Sequence, residues 1–192
     1  VILNASNCTF TGLDPCNTMW QGIEVWGVSS LPPNSGQQGQ LLISNSLVRR
    51  AHIGILAGRR GGSSYMLEYG GGIIKATACS FTQNGVGVRT NPYSDFKSAC
   101  LIKDCNFTGN TLPDPLYNAS LCGGNCYPNS SNPFNPKATS NGQPPYLAYN
   151  WGSYKVTYVG STFQQAETGI ENYEGSVYAI DPKSGKQIWR YQ

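Results

Sequence analysis

Carboxylates and aromatic rings are the side chains of this sequence that could act on a ligand or bind one. Ten residues are acidic, and Glu24 and Glu171 stand in the same local context, each preceded by Gly and Ile. Two carboxyl groups about 5 to 10 Å apart across a cleft can cleave a glycosidic bond. Whether these two glutamates could work together therefore depends on the elements that position them.

A short repeated pattern contains both glutamates and predicts the fold. It starts with a small or thiol residue, a spacer and an aromatic or apolar residue, and it ends, after several polar residues, with Gly and a β-branched residue. Its copies are Cys8-Thr9-Phe10 with Gly22-Ile23, Ser46-Leu47-Val48 with Gly54-Ile55, Cys79-Ser80-Phe81 with Gly87-Val88, and Ser161-Thr162-Phe163 with Gly169-Ile170, while Cys105-Asn106-Phe107 carries the first half only. Self-similarity of this kind predicts one strand-turn-strand unit stacked on copies of itself.

Short strands and inserted loops complete each predicted coil. Runs rich in β-formers, bounded by Gly, Asn or Ser, precede four copies of the pattern at 41–44, 73–76, 99–103 and 154–158. No stretch shows sustained helical spacing of apolar residues, so helix should be nearly absent. Loops rich in Pro, Gly or Asn interrupt the pattern at 28–40, 58–72 and 111–152. Insertions in a solenoid map to one face, where we expect any function to lie.

Stacking of the coils predicts three columns of side chains. Because side chains alternate along a strand, two columns should face inward: Ile23, Ile55, Val88 and Ile170, and Phe10, Val48, Phe81, Phe107 and Phe163. The third should face outward and comprise Glu24, Leu56, Arg89 and Glu171. Neighbouring coils are about 4.8 Å apart, so Glu24 and Glu171 should be too distant to act as a pair. We therefore expect no catalytic residues and no enzyme activity.

The run Met19-Trp20-Gln21-Gly22-Ile23-Glu24-Val25-Trp26-Gly27, the segment LLISNSLVRRAHIGI at 41–55 and the repeated pattern resemble a known family. They are similar to right-handed parallel β-helices, and more narrowly to the β-helix regions of very large secreted bacterial surface proteins of the type 9 secretion kind. The resemblance covers about residues 1–110 and 154–180. It implies an all-β solenoid, a single unit over 1–192, and an extracellular or cell-surface location.

The tail at 176–192 departs from the coil pattern. It is similar to one blade motif of quinoprotein-type β-propellers, but a propeller needs several blades. We therefore expect a terminal strand and a hairpin there.

Function follows less directly from the resemblance, because β-helices include polysaccharide lyases, pectinases, adhesins, tailspikes and passive stalks. We predict a structural or adhesive segment that binds glycans or other surface proteins through aromatic and acidic side chains. The candidate ligand-binding residues are Trp20, Glu24, Trp26, Trp151, Glu171 and Tyr173. The alternatives are a fragment of a polysaccharide lyase or glycoside hydrolase, and a filament subunit that associates end to end.

Other partners and cofactors are largely excluded by composition. A net charge of +3 without a basic face argues against nucleic acid, and no run of about 18 apolar residues could insert into a membrane. Cys122 and Cys126 could form a local disulfide. Glu167, Glu171 and Glu174 could bind Ca²⁺, although a solvated acidic corner is the commoner outcome. We expect no metal site and no cofactor.

Overall fold

The computed structural model of the chain describes residues 1–12, 19–59, 69–93, 99–110, 112, 143–144, 146–151, 156–166, 168–173, 177–180 and 187–191. Seventeen strands lie in these ranges: β1 (Ile2–Ser6), β2 (Thr9–Thr11), β3 (Ile23–Val25), β4 (Gln40–Ser44), β5 (Leu47–Arg49), β6 (Ile53–Ala57), β7 (Ile73–Thr77), β8 (Ser80–Thr82), β9 (Val86–Thr90), β10 (Leu101–Lys103), β11 (Asn106–Thr108), β12 (Tyr146–Trp151), β13 (Thr157–Val159), β14 (Thr162–Gln164), β15 (Thr168–Tyr173), β16 (Val177–Ile180) and β17 (Gln187–Tyr191). The same ranges contain no helix, as predicted.

Three parallel five-stranded sheets form the body of the fold. The first has the order β1-β4-β7-β10-β13, the second β2-β5-β8-β11-β14, and the third β3-β6-β9-β12-β15. Each coil supplies one strand to each sheet, and every neighbouring pair within the three sheets is parallel. The fold is therefore the right-handed parallel β-helix that the repeat and the resemblance predict.

The corner between the first and second sheets turns on a single residue with left-handed backbone geometry. Asn7, Asn45, Ala78 and Asp104 have φ angles of 55°, 48°, 53° and 52°, and Gly160 has 61°. The backbone N–H of each of the first four donates to a carbonyl of the following coil over 2.7 to 3.1 Å. Since these bonds continue the ladder through the turn, they offset the roughly 1–2 kcal/mol that this geometry costs a residue other than Gly.

A column of apolar side chains, most of them phenylalanine rings, fills the interior behind the second sheet, as predicted. We call it the phenylalanine column; it consists of Phe10, Val48, Phe81, Phe107 and Phe163, paired in register from coil to coil. The rings of Phe81 and Phe107 are stacked at 4.6 Å and 6°, and those of Phe107 and Phe163 at 4.7 Å and 11°. Each aromatic contact contributes about 0.5–1.5 kcal/mol beyond area burial.

A second column runs along the first corner and contains Cys8, Ser46, Cys79, Cys105 and Ser161. Here the backbone N–H of one coil donates to the side chain of the next, from Cys8 to Ser46 Oγ at 3.1 Å and from Cys105 to Ser161 Oγ at 3.2 Å. Cys79 and Cys105 are buried and Cys8 is exposed. A hydrogen bond with Cys79, together with burial, raises the pKa of the Cys105 thiol. Cys79 and Cys105 are therefore buried stacking residues of this column.

The recurring glycine is the second residue of β6, β9 and β15 and directly precedes β3, and these positions leave no room for a side chain. A Cβ atom on Gly87 would lie 2.8 Å from Cδ1 of Phe107, and one on Gly54 would lie 2.5 Å from the carbonyl oxygen of Gly87. The glycine of the repeat therefore lets the phenylalanine column pass close to the backbone of the third sheet.

In the fourth coil, a different pair of residues fills the interior volume that Gly and a β-branched residue fill elsewhere. Ala148 pairs in register with Val88 on one side and Ile170 on the other, so Leu147 occupies the place that glycine has elsewhere. Leu147 is buried in the same core cluster as the phenylalanine column. A large residue replaces the glycine and a small one replaces the β-branched residue, which conserves the total side-chain volume.

Leu56 and Arg89 of the predicted outward column lie apart from the main core cluster, but both are 0% exposed. Glu24, in the first coil of the same column, is partly exposed. Leu56 belongs to a second apolar cluster with Ile53 and Val86. The register adds Tyr149 to this column, and the guanidinium carbon of Arg89 lies 5.0 Å from the centre of its ring. Around Leu56 and Arg89, the outer face of this sheet is therefore covered by a second packed layer.

The insertion at 28–40 is anchored to the coil wall by buried polar groups. The amide of Gln38 accepts the N–H of Val28 at 2.9 Å and donates to the carbonyls of Val28 and Leu31 at 3.0 and 2.8 Å. The Tyr93 hydroxyl donates to the same Leu31 carbonyl at 2.6 Å. Tyr93 is 2% exposed, so this aromatic residue secures a loop.

The tail contains an antiparallel hairpin. β16 pairs with β17 from Val177 opposite Tyr191, with a register shift between Ala179 and Ile180. Residues 181–186, between the two strands, lie outside the described residues, as do Cys122, Cys126, Glu167, Glu174 and most of the 111–152 insertion.

Candidate functional site

The candidate site is centred on Trp26, which directly follows β3. Its side chain is 46% exposed, and it is the one aromatic among the large apolar side chains exposed in the described part of the chain. The indole Nε1–H donates to Oε2 of Glu24 at 2.7 Å. Because residues two apart on a strand point to the same face, the end of β3 places the carboxylate beside the ring. Trp26 is therefore exposed and also held in one orientation.

Arg59 and Tyr69 lie against the ring of Trp26. The guanidinium carbon of Arg59 is 4.7 Å from the Trp26 ring centre and 5.0 Å from the Tyr69 ring centre. The two rings are 5.4 Å apart and tilted by 53°. A cation over an aromatic face contributes about 0.5–1 kcal/mol at exposed sites. These three side chains form one cluster with Glu24, and we call the four residues the Trp26 site.

Two backbone contacts place the side chains of the insertion at 58–72 next to β3. The N–H of Gly27 donates to the carbonyl of Tyr69 at 3.1 Å, and the N–H of Gly58 donates to the carbonyl of Val25 at 2.9 Å. The first bond positions the returning end of the insertion and the second positions its departing end. Arg59 and Tyr69 therefore reach Trp26 because both ends of the insertion are joined to the same strand.

Asn91 fixes the backbone of Arg59 from the next coil. Its side chain is 0% exposed, and Nδ2 donates to the carbonyl of Arg59 at 3.0 Å. A Cβ atom on Gly58 would lie 2.6 Å from the same Nδ2, and Gly58 has φ of 142°. Only glycine fits this turn, so the asparagine and the glycine together direct Arg59 towards the rings.

The sequence alone does not single out Arg59, Tyr69 or Asn91. The first two belong to the Trp26 site, and Asn91 holds the backbone of Arg59 in place. One signal was present, because the two ends of an insertion in a solenoid must return to the same corner. Arg59 and Tyr69 stand near the two ends of the 58–72 insertion, while Trp26 and Glu24 end the neighbouring strand.

Trp20, a predicted ligand-binding residue, is part of the coil wall. Its Nε1–H donates to the carbonyl of Arg49 at 2.8 Å, and its backbone pairs with Ala51 as an isolated parallel bridge. The side chain packs against the main core cluster. Trp20 is therefore explained by packing.

The other three candidate residues lie at the far edge of the same sheet. In the register, Trp151 pairs with Tyr173 and Tyr149 pairs with Glu171. Strands β6, β9 and β12 separate β15 from β3. The backbones at Glu24 and Glu171 are therefore roughly 19 Å apart at about 4.8 Å per strand. The six candidates do not lie together in the sheet, and the backbones at Glu24 and Glu171 are farther apart than the roughly 5 to 10 Å that glycosidic cleavage requires of its two carboxyl groups.

Known proteins and metal-binding patterns give no further assignment. The chain matches no protein-family model, no curated protein and no solved structure. Within the described ranges, no group of three or more His, Cys, Asp or Glu residues is arranged to hold a metal ion. The same ranges contain no helix with the length and apolar character needed to cross a bilayer.

Proposed function

We propose that this chain is a structural or adhesive β-solenoid segment of an extracellular or cell-surface protein, and that it binds a glycan at the Trp26 site. The roles of the repeated residues support the structural part of the proposal. The recurring Phe and Cys positions stack from coil to coil and the recurring Gly positions leave room for the phenylalanine column, which makes the body a rigid support.

The observation that carries the binding part is the exposed and oriented indole of Trp26. An aromatic face can stack on the C–H face of a pyranose ring, and such rings are also frequent anchors in interfaces. Glu24 and Arg59 flank this surface with an acceptor and a set of donors. An ionised carboxylate can accept about four hydrogen bonds and a guanidinium can donate five, so both can engage hydroxyl groups in addition to their present contacts.

The test is binding of the purified chain to a panel of oligosaccharides, measured by calorimetry. We expect Trp26→Ala to weaken binding by at least about tenfold, or ~1.4 kcal/mol. Leu3→Ala is the matched control, because Leu3 is exposed to a similar extent, 50% against 46%, and lies on β1 of the first sheet. If no glycan binds, or if both variants bind alike, the proposed glycan site is wrong.

The same incubations measure cleavage. The alternative function, polysaccharide cleavage, would release reducing or unsaturated ends from the panel. Their release at a rate proportional to protein concentration would overturn the structural or adhesive function.

End-to-end association is a second candidate, favoured by the apolar edge at β1. Ile2 and Leu3 are 56% and 50% exposed, and within the described residues β1 pairs with β4 alone. Exposed strand edges can pair with further chains. We expect concentration-dependent growth in light scattering that Leu3→Lys suppresses, and a monomer at every concentration would reject this candidate.

A further inference from the structure

The charges around Trp26 bear on which class of glycan the site takes. Glu24 lies within hydrogen-bond distance of the indole nitrogen, and Arg59 lies against the ring. Among the described residues, one formal negative charge, on Glu24, and one formal positive charge, on Arg59, therefore flank a single stacking surface. Building on the proposed glycan-binding function, we infer that the Trp26 site selects an uncharged pyranose and discriminates against uronic and other acidic sugars.

The carboxylate of Glu24 is the first of these two charges. The bond of 2.7 Å between Trp26 Nε1 and Glu24 Oε2 places this charge at the edge of the ring. A pyranose stacked on the indole brings its ring substituents over that edge. Hydroxyl groups can donate to a carboxylate, whereas a second carboxylate would be repelled by it.

The guanidinium of Arg59 is the second charge. Arg59 is held near two aromatic rings, at 4.7 Å from that of Trp26 and 5.0 Å from that of Tyr69. Its backbone is fixed by the buried amide of Asn91. A guanidinium in this position donates to sugar hydroxyls and balances the charge of Glu24. The surface therefore offers donors and acceptors together without a net attraction for anions.

The experiment compares uncharged with acidic oligosaccharides, including one pair of equal length and linkage. The matched pair consists of methyl-esterified and de-esterified oligogalacturonates of equal length, which have the same linkage. A wider panel tests neutral glucans, mannans and galactans beside two acidic classes, alginate and sialylated oligosaccharides. We expect the tightest ligand of the wild-type protein to be uncharged, and the esterified probe to bind at least about tenfold more tightly than its acid, or ~1.4 kcal/mol. Preferential binding of an acidic oligosaccharide would overturn the inference.

Two variants test the cause of the selectivity. Glu24→Gln keeps an oxygen that can accept the indole N–H but removes the charge, so the preference for uncharged sugar should narrow or reverse. Arg59→Gln removes the balancing cation, so the preference should widen. An unchanged ratio in Glu24→Gln, at an unaltered thermal midpoint, would show that the charge pair does not set selectivity. Lys103→Gln, an exposed charge on the first sheet, is the control and should leave the ratio unchanged.

The outcomes separate this inference from the function on which it rests. Binding that is lost in Trp26→Ala but prefers acidic sugars leaves the glycan site standing and rejects the selectivity. Absence of binding to every oligosaccharide rejects both.

Discussion

Truncation of Phe107 should destabilise the solenoid more than any comparable change at its edge. The ring is 0% exposed and lies between Phe81 and Phe163 at 4.6 and 4.7 Å. Replacement of a buried Phe by Ala typically costs about 3–5 kcal/mol, and the loss of two stacked neighbours places this position in the middle or upper part of that range. We expect Phe107→Ala to lower the free energy of unfolding by about 4 kcal/mol, a large share of the 5–15 kcal/mol usual for a domain.

The matched control is Phe10→Ala in the first coil. Phe10 belongs to the same column, but it is only partly buried and within the described residues has one neighbour in register, Val48. Full burial of such a side chain contributes about 1.5–3 kcal/mol, and partial burial contributes less. We expect a cost of about 1–2 kcal/mol, so the two variants should differ by at least about 2 kcal/mol.

Urea unfolding followed by tryptophan fluorescence and circular dichroism measures both values. With a denaturant slope of about 2 kcal/mol per molar, Phe107→Ala should lower the midpoint by about 2 M. Equal shifts for the two variants would refute the reasoning from coil-to-coil stacking. A cost below about 1.5 kcal/mol for Phe107→Ala would refute the packing of the column itself.

Three further predictions follow from the interior and the corners. Gly87→Ala should lower the free energy of unfolding by about 1–3 kcal/mol in the same titration, because the new methyl group overpacks the phenylalanine column; a neutral effect would contradict this. Cys8 should be alkylated by iodoacetamide in the native protein while Cys79 and Cys105 react only after unfolding, as peptide mass spectrometry can determine; early modification of either buried thiol would contradict the assigned packing. Ala78→Gly should leave stability unchanged or raise it by up to about 1 kcal/mol, since glycine adopts a φ of 53° without strain; a clear loss in the thermal midpoint would contradict the turn geometry.

The fold was predictable because each coil repeats the same spacing of residue types. Phe81, Phe107 and Phe163 recur after a small or thiol residue and a spacer, and a strand places that spacing on one face. The fourth coil shows where such reasoning stops. Leu147 and Ala148 together fill the interior volume that Gly and a β-branched residue fill in other coils. The total side-chain volume is therefore conserved, although the residue types differ.

The burial of Leu56 and Arg89 on the outer face of the third sheet could not be predicted, for another physical reason. Alternation along a strand tells which side chains leave the interior, and it correctly separates Leu56 and Arg89 from the inward residues. It does not tell whether a second layer packs on that face. Their burial follows from the full set of tertiary contacts, which strand periodicity does not encode.

Trp20 and Trp26 show how the candidate site depends on hydrogen-bond partners that residue type does not reveal. The two indoles are six residues apart, flank β3 and look equivalent in the sequence. The N–H of Trp20 is bound to the Arg49 carbonyl, a backbone atom of the next coil, so the ring is drawn against the core. The N–H of Trp26 is bound to the Glu24 side chain on its own strand, so the ring remains at the surface. One tryptophan therefore holds coils together, while the other presents an oriented aromatic face that a ligand can reach.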